Sequence, residues 1–210
     1  MIASVLTLTR DDCKALRITD AYSIHRVVYD LFPDIRSDKG KTSSEASGIQ
    51  FVDKGGDFCS RHILILSNRE PISPGTGTLS QKLVPEKFLT HEHYGFEIRM
   101  NPTKRSRNSG KTIAIENSAL IDWFLDPKKE IERGFTVAKE SLQVQDIGVQ
   151  RFQKEIGTDV VHGTATFIGK LKVTDRQAFI KSFQNGLGRA RAFGFGLLQL
   201  VPLQIQNATK

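Results

Sequence analysis

Apolar side chains recur along the chain with two periods, one typical of strands and one typical of helices. Residues 2–9 are rich in β-forming side chains and predict a first strand. In residues 21–32 the apolar positions follow helical spacing instead, and they are Ile24, Val27, Val28 and Leu31. Asp20 stands where a helix N-cap would, and Pro33 closes the pattern. Residues 49–52 and 62–66 predict an antiparallel pair, and a weaker strand is expected near Phe88.

The second half of the chain repeats this alternation. Residues 96–100 and 112–115 predict strands that could be the arms of one hairpin, and residues 117–124 predict a helix. The clearest alternation, in residues 161–173, is typical of a strand with one buried face.

The end of the chain predicts one more helix and one more strand. Thr174 and Gln177 form a possible capping box for the helix, Gly186 ends it, and residues 197–203 predict the strand. Two consecutive β-α-β-β-like sets indicate an α+β protein of two units, with a boundary between about residues 85 and 96.

Composition narrows the class of protein. The chain has 210 residues, of which 39% are hydrophobic and 25% charged, as in an ordinary globular protein. No apolar run approaches the ~20 residues that span a bilayer, and the N-terminus lacks the basic start of a signal peptide. Cys13 and Cys59 lack metal-ligand spacing and are interpreted as thiols in a reducing compartment. We therefore expect a cytoplasmic protein that does not contact a membrane.

The net charge of +7 is unevenly distributed. No carboxylate lies between Glu97 and Glu116 or after Asp175, whereas arginines and lysines are frequent in both stretches. Such acid-free basic stretches indicate a surface for a polyanion, or alternatively a solvated surface with surplus lysine.

Three features could carry chemistry. Tyr22 and His25 are i, i+3 neighbours on one flank of the first helix, where they form either an acid–base pair or a structural pair. Residues 186–198 hold four glycines and two arginines, which suit close approach to phosphates or a tight helix-to-strand crossover. Residues 101–111 form a cation-rich loop that suits the phosphates of a duplex or is simply exposed.

In this order, the three features resemble the CasE-type repeat endoribonuclease family of the Cascade complex. The resemblance lies in Tyr22-Ser23-Ile24-His25-Arg26, in Phe96-Glu97-Ile98-Arg99-Met100-Asn101-Pro102-Thr103-Lys104, and in the glycine-rich residues 185–198. It implies two tandem ferredoxin-like (RRM-like) domains, residues 1–90 with the catalytic helix and residues 95–210 with the basic hairpin and the glycine-rich loop.

The resemblance also implies an activity and its partners. The expected reaction is metal-independent cleavage of CRISPR repeat RNA at the 3′ base of its stem-loop, without a cofactor, after which the mature crRNA stays bound. Other Cascade-type subunits are expected partners. His25 is the expected catalytic residue and Tyr22 its companion, with the assignment of acid and base left open. The expected RNA-binding residues are Arg26, Arg99, Lys104, Arg105, Arg107, Lys111, Gly186, Gly188, Arg189 and Arg191.

Two alternatives remain at this point. The same fold could hold a structured RNA without cutting it, or the protein could be an architectural DNA-binding protein with no dependence on the 2′-OH.

Overall fold

The computed structural model describes residues 1–33, 47–57, 59–106, 108–155 and 158–204. The helices are α1 (Arg10–Ala15), α2 (Ala21–Tyr29), α3 (Leu120–Phe124), α4 (Pro127–Arg133) and α5 (Arg176–Asn185). The strands are β1 (Ile2–Thr9), β2 (Ile49–Gly56), β3 (Ser60–Ser67), β4 (Thr78–Leu83), β5 (His93–Met100), β6 (Thr103–Arg105), β7 (Thr112–Ala114), β8 (Phe135–Val137), β9 (Gln143–Glu155), β10 (Thr158–Val173) and β11 (Gln199–Pro202). Among the residues so described, no helix is long and apolar enough to cross a membrane.

Nine of the described strands form two antiparallel sheets with the same topology, and β6 and β7 form a separate two-stranded sheet. The first has the order β2-β3-β1-β4 and the second the order β11-β5-β10-β8, with β9 also paired to β10. Numbered within each unit, both sheets have the strand order 4-1-3-2 of a ferredoxin-like unit. The predicted α+β class with two ferredoxin-like sheets is confirmed.

Helix α2 begins where the sequence predicts and ends earlier. The Asp20 carboxylate accepts a hydrogen bond from the Ser23 amide at 2.8 Å, and the Ser23 hydroxyl accepts one from the Asp20 amide. The apolar stripe of the helix packs on the first sheet. The helix ends at Tyr29 rather than at residue 32, because Leu31 and Phe32 donate to carbonyls three residues back and turn into the core.

A buried junction joins the two sheets. Val52 and Leu66 of the first sheet pack against Phe183 of α5. The Gln50 amide donates to the carbonyls of Phe183 and Gln184 at 3.0 and 2.8 Å. These contacts fix α2, which lies on the first sheet, relative to the elements of the second sheet.

Several elements lie at other positions than the sequence predicts. Phe88 lies in a 3₁₀ turn, and the fourth strand is β4, whose mostly exposed residues give little apolar signal. The basic hairpin pairs β6 with β7, whereas β5 pairs with β10 and β11 in the second sheet. Asp175, rather than Thr174, caps α5 by accepting from the amides of Gln177 and Ala178.

Candidate active site

His25 is oriented by the glycine-rich segment, which we define as residues 186–198. Its Nδ1 lies 2.7 Å from the carbonyl oxygen of Ala192. A carbonyl can only accept, so Nδ1 carries the proton and donates it. In the neutral ring the basic nitrogen is then Nε2. The half-buried imidazole is therefore held in the tautomer that a proton acceptor needs.

The glycine-rich segment reaches this position through backbone conformations that glycine favours. Ala190 and Gly194 flank a 3₁₀ turn, Arg191–Phe193, with φ of 60° and 85°. At Gly196, with φ of 83°, an added Cβ would lie 2.2 Å from the carbonyl oxygen of Leu187. The glycines are thus required for a tight turn, which presents the Ala192 carbonyl to α2.

Aromatic rings from both halves of the chain surround His25. The Tyr22 ring stacks on the imidazole at a centroid distance of 5.9 Å, and the Phe193 ring lies 5.4 Å from it. Phe152 of β9 lies 6.2 Å from Tyr22 and 4.7 Å from Phe193. Sequence reasoning missed Phe152 and Phe193, although Phe193 falls within the glycine signature itself.

Two polar side chains, Arg99 and Gln150, connect the 3₁₀ turn Arg191–Phe193 to the second sheet. The Arg99 guanidinium donates to the Gln150 amide oxygen at 3.3 Å, and the Gln150 amide donates to the Phe193 carbonyl at 3.4 Å. Arg99 also lies 5.2 Å from the centroid of the Phe195 ring. Burial lowers the pKa of Arg99. Arg99 is half-buried on the face of β5 opposite the core, where it lines a cleft with Asp20 and Phe193, and its predicted contact with RNA stays a prediction.

The remaining cations predicted on α2 and on the hairpin are exposed. Arg26 adjoins His25 and lies 5.9 Å from the Tyr22 ring centroid. Lys104, Arg105 and Lys111 are exposed on the β6–β7 hairpin, where the Arg105 Nε donates to the Gly110 carbonyl. Arg107 lies outside the described residues.

The glycine-rich segment connects the hairpin with a separate groove. Arg189 donates to the Thr112 hydroxyl at 2.6 Å and so links the segment to β7. Gly186, Gly188, Arg189 and Arg191 line a groove of about 720 Å³. The segment therefore has two faces: the Ala192 carbonyl and Phe193, which were not predicted, face His25, whereas the predicted Arg189 and Arg191 line the groove.

Comparison with known proteins identifies the family. Residues 1–202 match the family described as CRISPR associated protein. The chain belongs to this family. It is 25% identical over 197 residues to the CRISPR system Cascade subunit CasE of Escherichia coli strain K12. This alignment covers 88% of this chain and 93% of that protein. It is 29% identical over 116 residues to the CRISPR-associated endoribonuclease Cse3 of Thermus thermophilus, covering 51% of this chain and 54% of that protein.

Solved structures share the fold over nearly the whole chain. The CRISPR endoribonuclease Cse3 bound to 19 nt RNA aligns with a TM-score of 0.75 at 19% identity and covers 96% of this chain and 100% of that chain. Cas6e from Escherichia coli K-12 aligns with a TM-score of 0.69 at 24% identity, covering 97% and 100%. The predicted membership in the CasE-type family is confirmed, and with it the class of enzyme, an endoribonuclease.

Proposed function

We propose that this endoribonuclease cleaves CRISPR repeat RNA at the 3′ base of its stem-loop and keeps the mature crRNA bound. The observation that carries the proposal is the 2.7 Å hydrogen bond from His25 Nδ1 to Ala192, because it orients a proton acceptor. The relatives named as an endoribonuclease and as a Cascade subunit support the substrate class.

RNA carries its own nucleophile, the ribose 2′-OH next to the scissile phosphate. In the proposed reaction His25 Nε2 accepts the proton of this hydroxyl while the 2′-oxygen forms a bond to phosphorus. The bond from phosphorus to the 5′-oxygen breaks, and Tyr22 donates a proton to that leaving oxygen. The products are a 2′,3′-cyclic phosphate and a 5′-OH, and no step requires a metal ion.

The charge that develops on the phosphate in the transition state needs a cation nearby. Arg26 occupies the position next to His25 and is exposed on the same helix. We assign it to this electrostatic role. Tyr22 and Arg26 lie in one stack with the imidazole, so all three groups can reach a single phosphodiester.

Cations outside the active site hold the RNA in this proposal. Lys104, Arg105 and Lys111 project from the hairpin and contact phosphates of the stem. Arg107, which lies outside the described residues, is assigned the same role from the sequence alone. Arg189 adds a cation beside the hairpin, where it donates a hydrogen bond to the hydroxyl of Thr112 near the hairpin tip. One relative is a Cascade subunit, and we extend the proposal to assembly of this chain with other subunits of such a complex.

The test compares wild type with His25→Ala on a repeat stem-loop RNA in the presence of EDTA. We expect one cut at the 3′ base of the stem by wild type, and a loss of about 10²–10⁴ in rate for the variant with unchanged RNA affinity. A substrate with deoxyribose at the scissile position should bind without being cut. If wild type binds several repeat RNAs and cuts none of them, the protein is a binding module and the proposal is wrong.

A further inference from the structure

The groove behind the glycine-rich segment concentrates positive charge that the proposed reaction does not use. It lies between the segment and helices α4 and α5, and its volume is about 720 Å³. Lys129 of α4 and Lys181 of α5 line it together with Arg189 and Arg191. Glu132 is the single carboxylate among the described residues that line it. A concave surface with this imbalance attracts an anion.

Lys129 is the most constrained of these cations. Its ammonium donates to the Trp123 carbonyl at 2.6 Å and lies 4.0 Å from the centroid of the Trp123 ring. Burial, followed by repulsion from Arg133, lowers the pKa of Lys129 to about 8. The lysine is therefore held at one place in the groove wall, and its charge is only partly compensated by its surroundings.

The charges close to Lys129 are of both signs. Arg133 repels it, whereas Asp126, which caps the helix, and Glu132 attract it, each more weakly than Arg133 repels it. The groups that face the groove from the other elements are cations, namely Lys181, Arg189 and Arg191. An anion bound among them would favour the protonated lysine.

We propose that this groove binds phosphates of the RNA backbone, with Lys129 and Lys181 as phosphate ligands in addition to Arg189 and Arg191. The proposal rests on the proposed function and deepens it, because the groove adjoins the segment that orients His25. An RNA strand that crosses the segment would pass from the active site on one face to the groove on the other. The ligand is the phosphodiester group, which either the duplex stem or a single-stranded flank provides.

Such a site has a specific pH signature. Below pH 8 Lys129 is charged in the free protein, and RNA binds without taking up a proton there. Above pH 8 the free lysine is neutral, so binding must be accompanied by uptake of a proton. Affinity then falls by up to about tenfold per pH unit until the pKa of the bound state is reached. Arginine stays protonated throughout this range, so Lys129→Arg should remove the dependence while keeping the charge.

The experiment measures binding of a stem-loop RNA with deoxyribose at the scissile position, so that cleavage does not interfere. Wild type, Lys129→Arg, Lys129→Met and Lys181→Met are titrated between pH 7 and 9, and again over a range of salt concentrations. Three RNAs are used: the stem-loop alone, with a 5′ extension, and with a 3′ extension. The RNA that shows the effect identifies the stem or the flank as the source of the phosphate.

We expect wild type to lose affinity from pH 8 to 9 and Lys129→Arg to lose none. Each methionine variant should bind RNA less tightly at pH 7. Its plot of log affinity against log salt concentration should be less steep than that of wild type, by about one released counterion. Equal pH dependence in wild type and Lys129→Arg, with an unchanged salt slope for Lys129→Met on all three RNAs, overturns the proposal. That result is separable from failure of the proposed function, which is judged by whether wild type cuts an all-ribose RNA in EDTA.

Discussion

The two ferredoxin-like sheets share a strand order and differ in what surrounds it. In the first, a loop of residues 68–77 links β3 to β4, where the second has helix α5. The first carries the helix with His25 and Tyr22. The second carries the β6–β7 hairpin, the long β9–β10 pair and the glycine-rich segment. The same topology thus presents the proposed catalytic side chain in one half and the surfaces that orient it in the other.

The proposed active site therefore depends on the junction between the two sheets. His25 and the carbonyl that orients it are 167 residues apart in sequence. The ring stack alternates between the halves, since Tyr22 contacts Phe152 and His25 contacts Phe193. Substitutions in the second half of the chain should therefore impair cleavage even though His25 itself is unchanged.

The largest effect is expected from the turn that presents the Ala192 carbonyl. In Gly196→Ala the new Cβ would clash with the Leu187 carbonyl, so the segment must shift and the Ala192 carbonyl is expected to lose its alignment with His25. We expect a loss of about 2–4 kcal/mol in the free energy of unfolding and a fall of about 10²-fold or more in cleavage rate. Urea unfolding and single-turnover cleavage measure the two effects.

Gly110→Ala is the matched control for this variant. Gly110 also has a positive φ, but an added Cβ there meets no atom within 4 Å. It should cost only about 1 kcal/mol, from backbone strain alone, and leave the cleavage rate unchanged. Equal loss of activity in both variants would show that the close approach at Gly196 has no special role.

The hairpin should affect binding rather than chemistry. Replacing Lys104, Arg105 and Lys111 together by alanine removes three exposed cations from β6 and the hairpin tip. We expect the affinity for the stem-loop to fall by about 10–100-fold and the salt slope to decrease by about two to three counterions. Cleavage at saturating RNA should proceed at the wild-type rate. A slower rate at saturation would mean that the hairpin also aligns the scissile phosphate, which contradicts the division between the halves.

Local patterns in the sequence predicted the parts of the fold that depend on local chemistry. The cap at Asp20 and the apolar stripe of α2 are local, and the structure has them. Strand β10 lies where the sequence predicts it, but its burial does not alternate, because residues 164–167 are all buried and Val161 is exposed. Strand β4 was misplaced because its side chains are mostly exposed. The carbonyl of Ala192 carries no sequence signal at all, since any residue has one. Its role arises only when the junction brings α2 against the glycine-rich segment.

The roles of Arg99 and Gln150 show the same limit. The contacts of Arg99 with Gln150 and Phe195 join residues that are far apart in the sequence, so no local pattern predicts them. The alternation of β5 shows which face of the strand carries Arg99, but not which side chains it meets there. Its contact with RNA stays a prediction.

The smallest effect on the cleavage rate is expected from Gln150→Leu, which tests whether β9 supports the turn that orients His25. Leucine cannot accept from Arg99 or donate to the Phe193 carbonyl, so the turn loses its support from β9. We expect a fall on the order of tenfold in the cleavage rate at saturating RNA, with the RNA affinity unchanged. Gln153→Leu is the control, because Gln153 lies on the same strand, is exposed and donates only to Asp159 among the described contacts.

The imidazole nitrogens of His25 give a readout that loss of stability alone would not change. In wild type, ¹⁵N NMR should show the neutral ring protonated at Nδ1, because the Ala192 carbonyl is in place to accept. In Gln150→Leu that carbonyl is less well held, so the signals should shift toward a mixture of the two tautomers. A slow variant with the wild-type tautomer would place the defect in the phosphate contacts instead. A shifted tautomer in Gln153→Leu as well would mean that β9 acts on His25 as a whole rather than through Gln150.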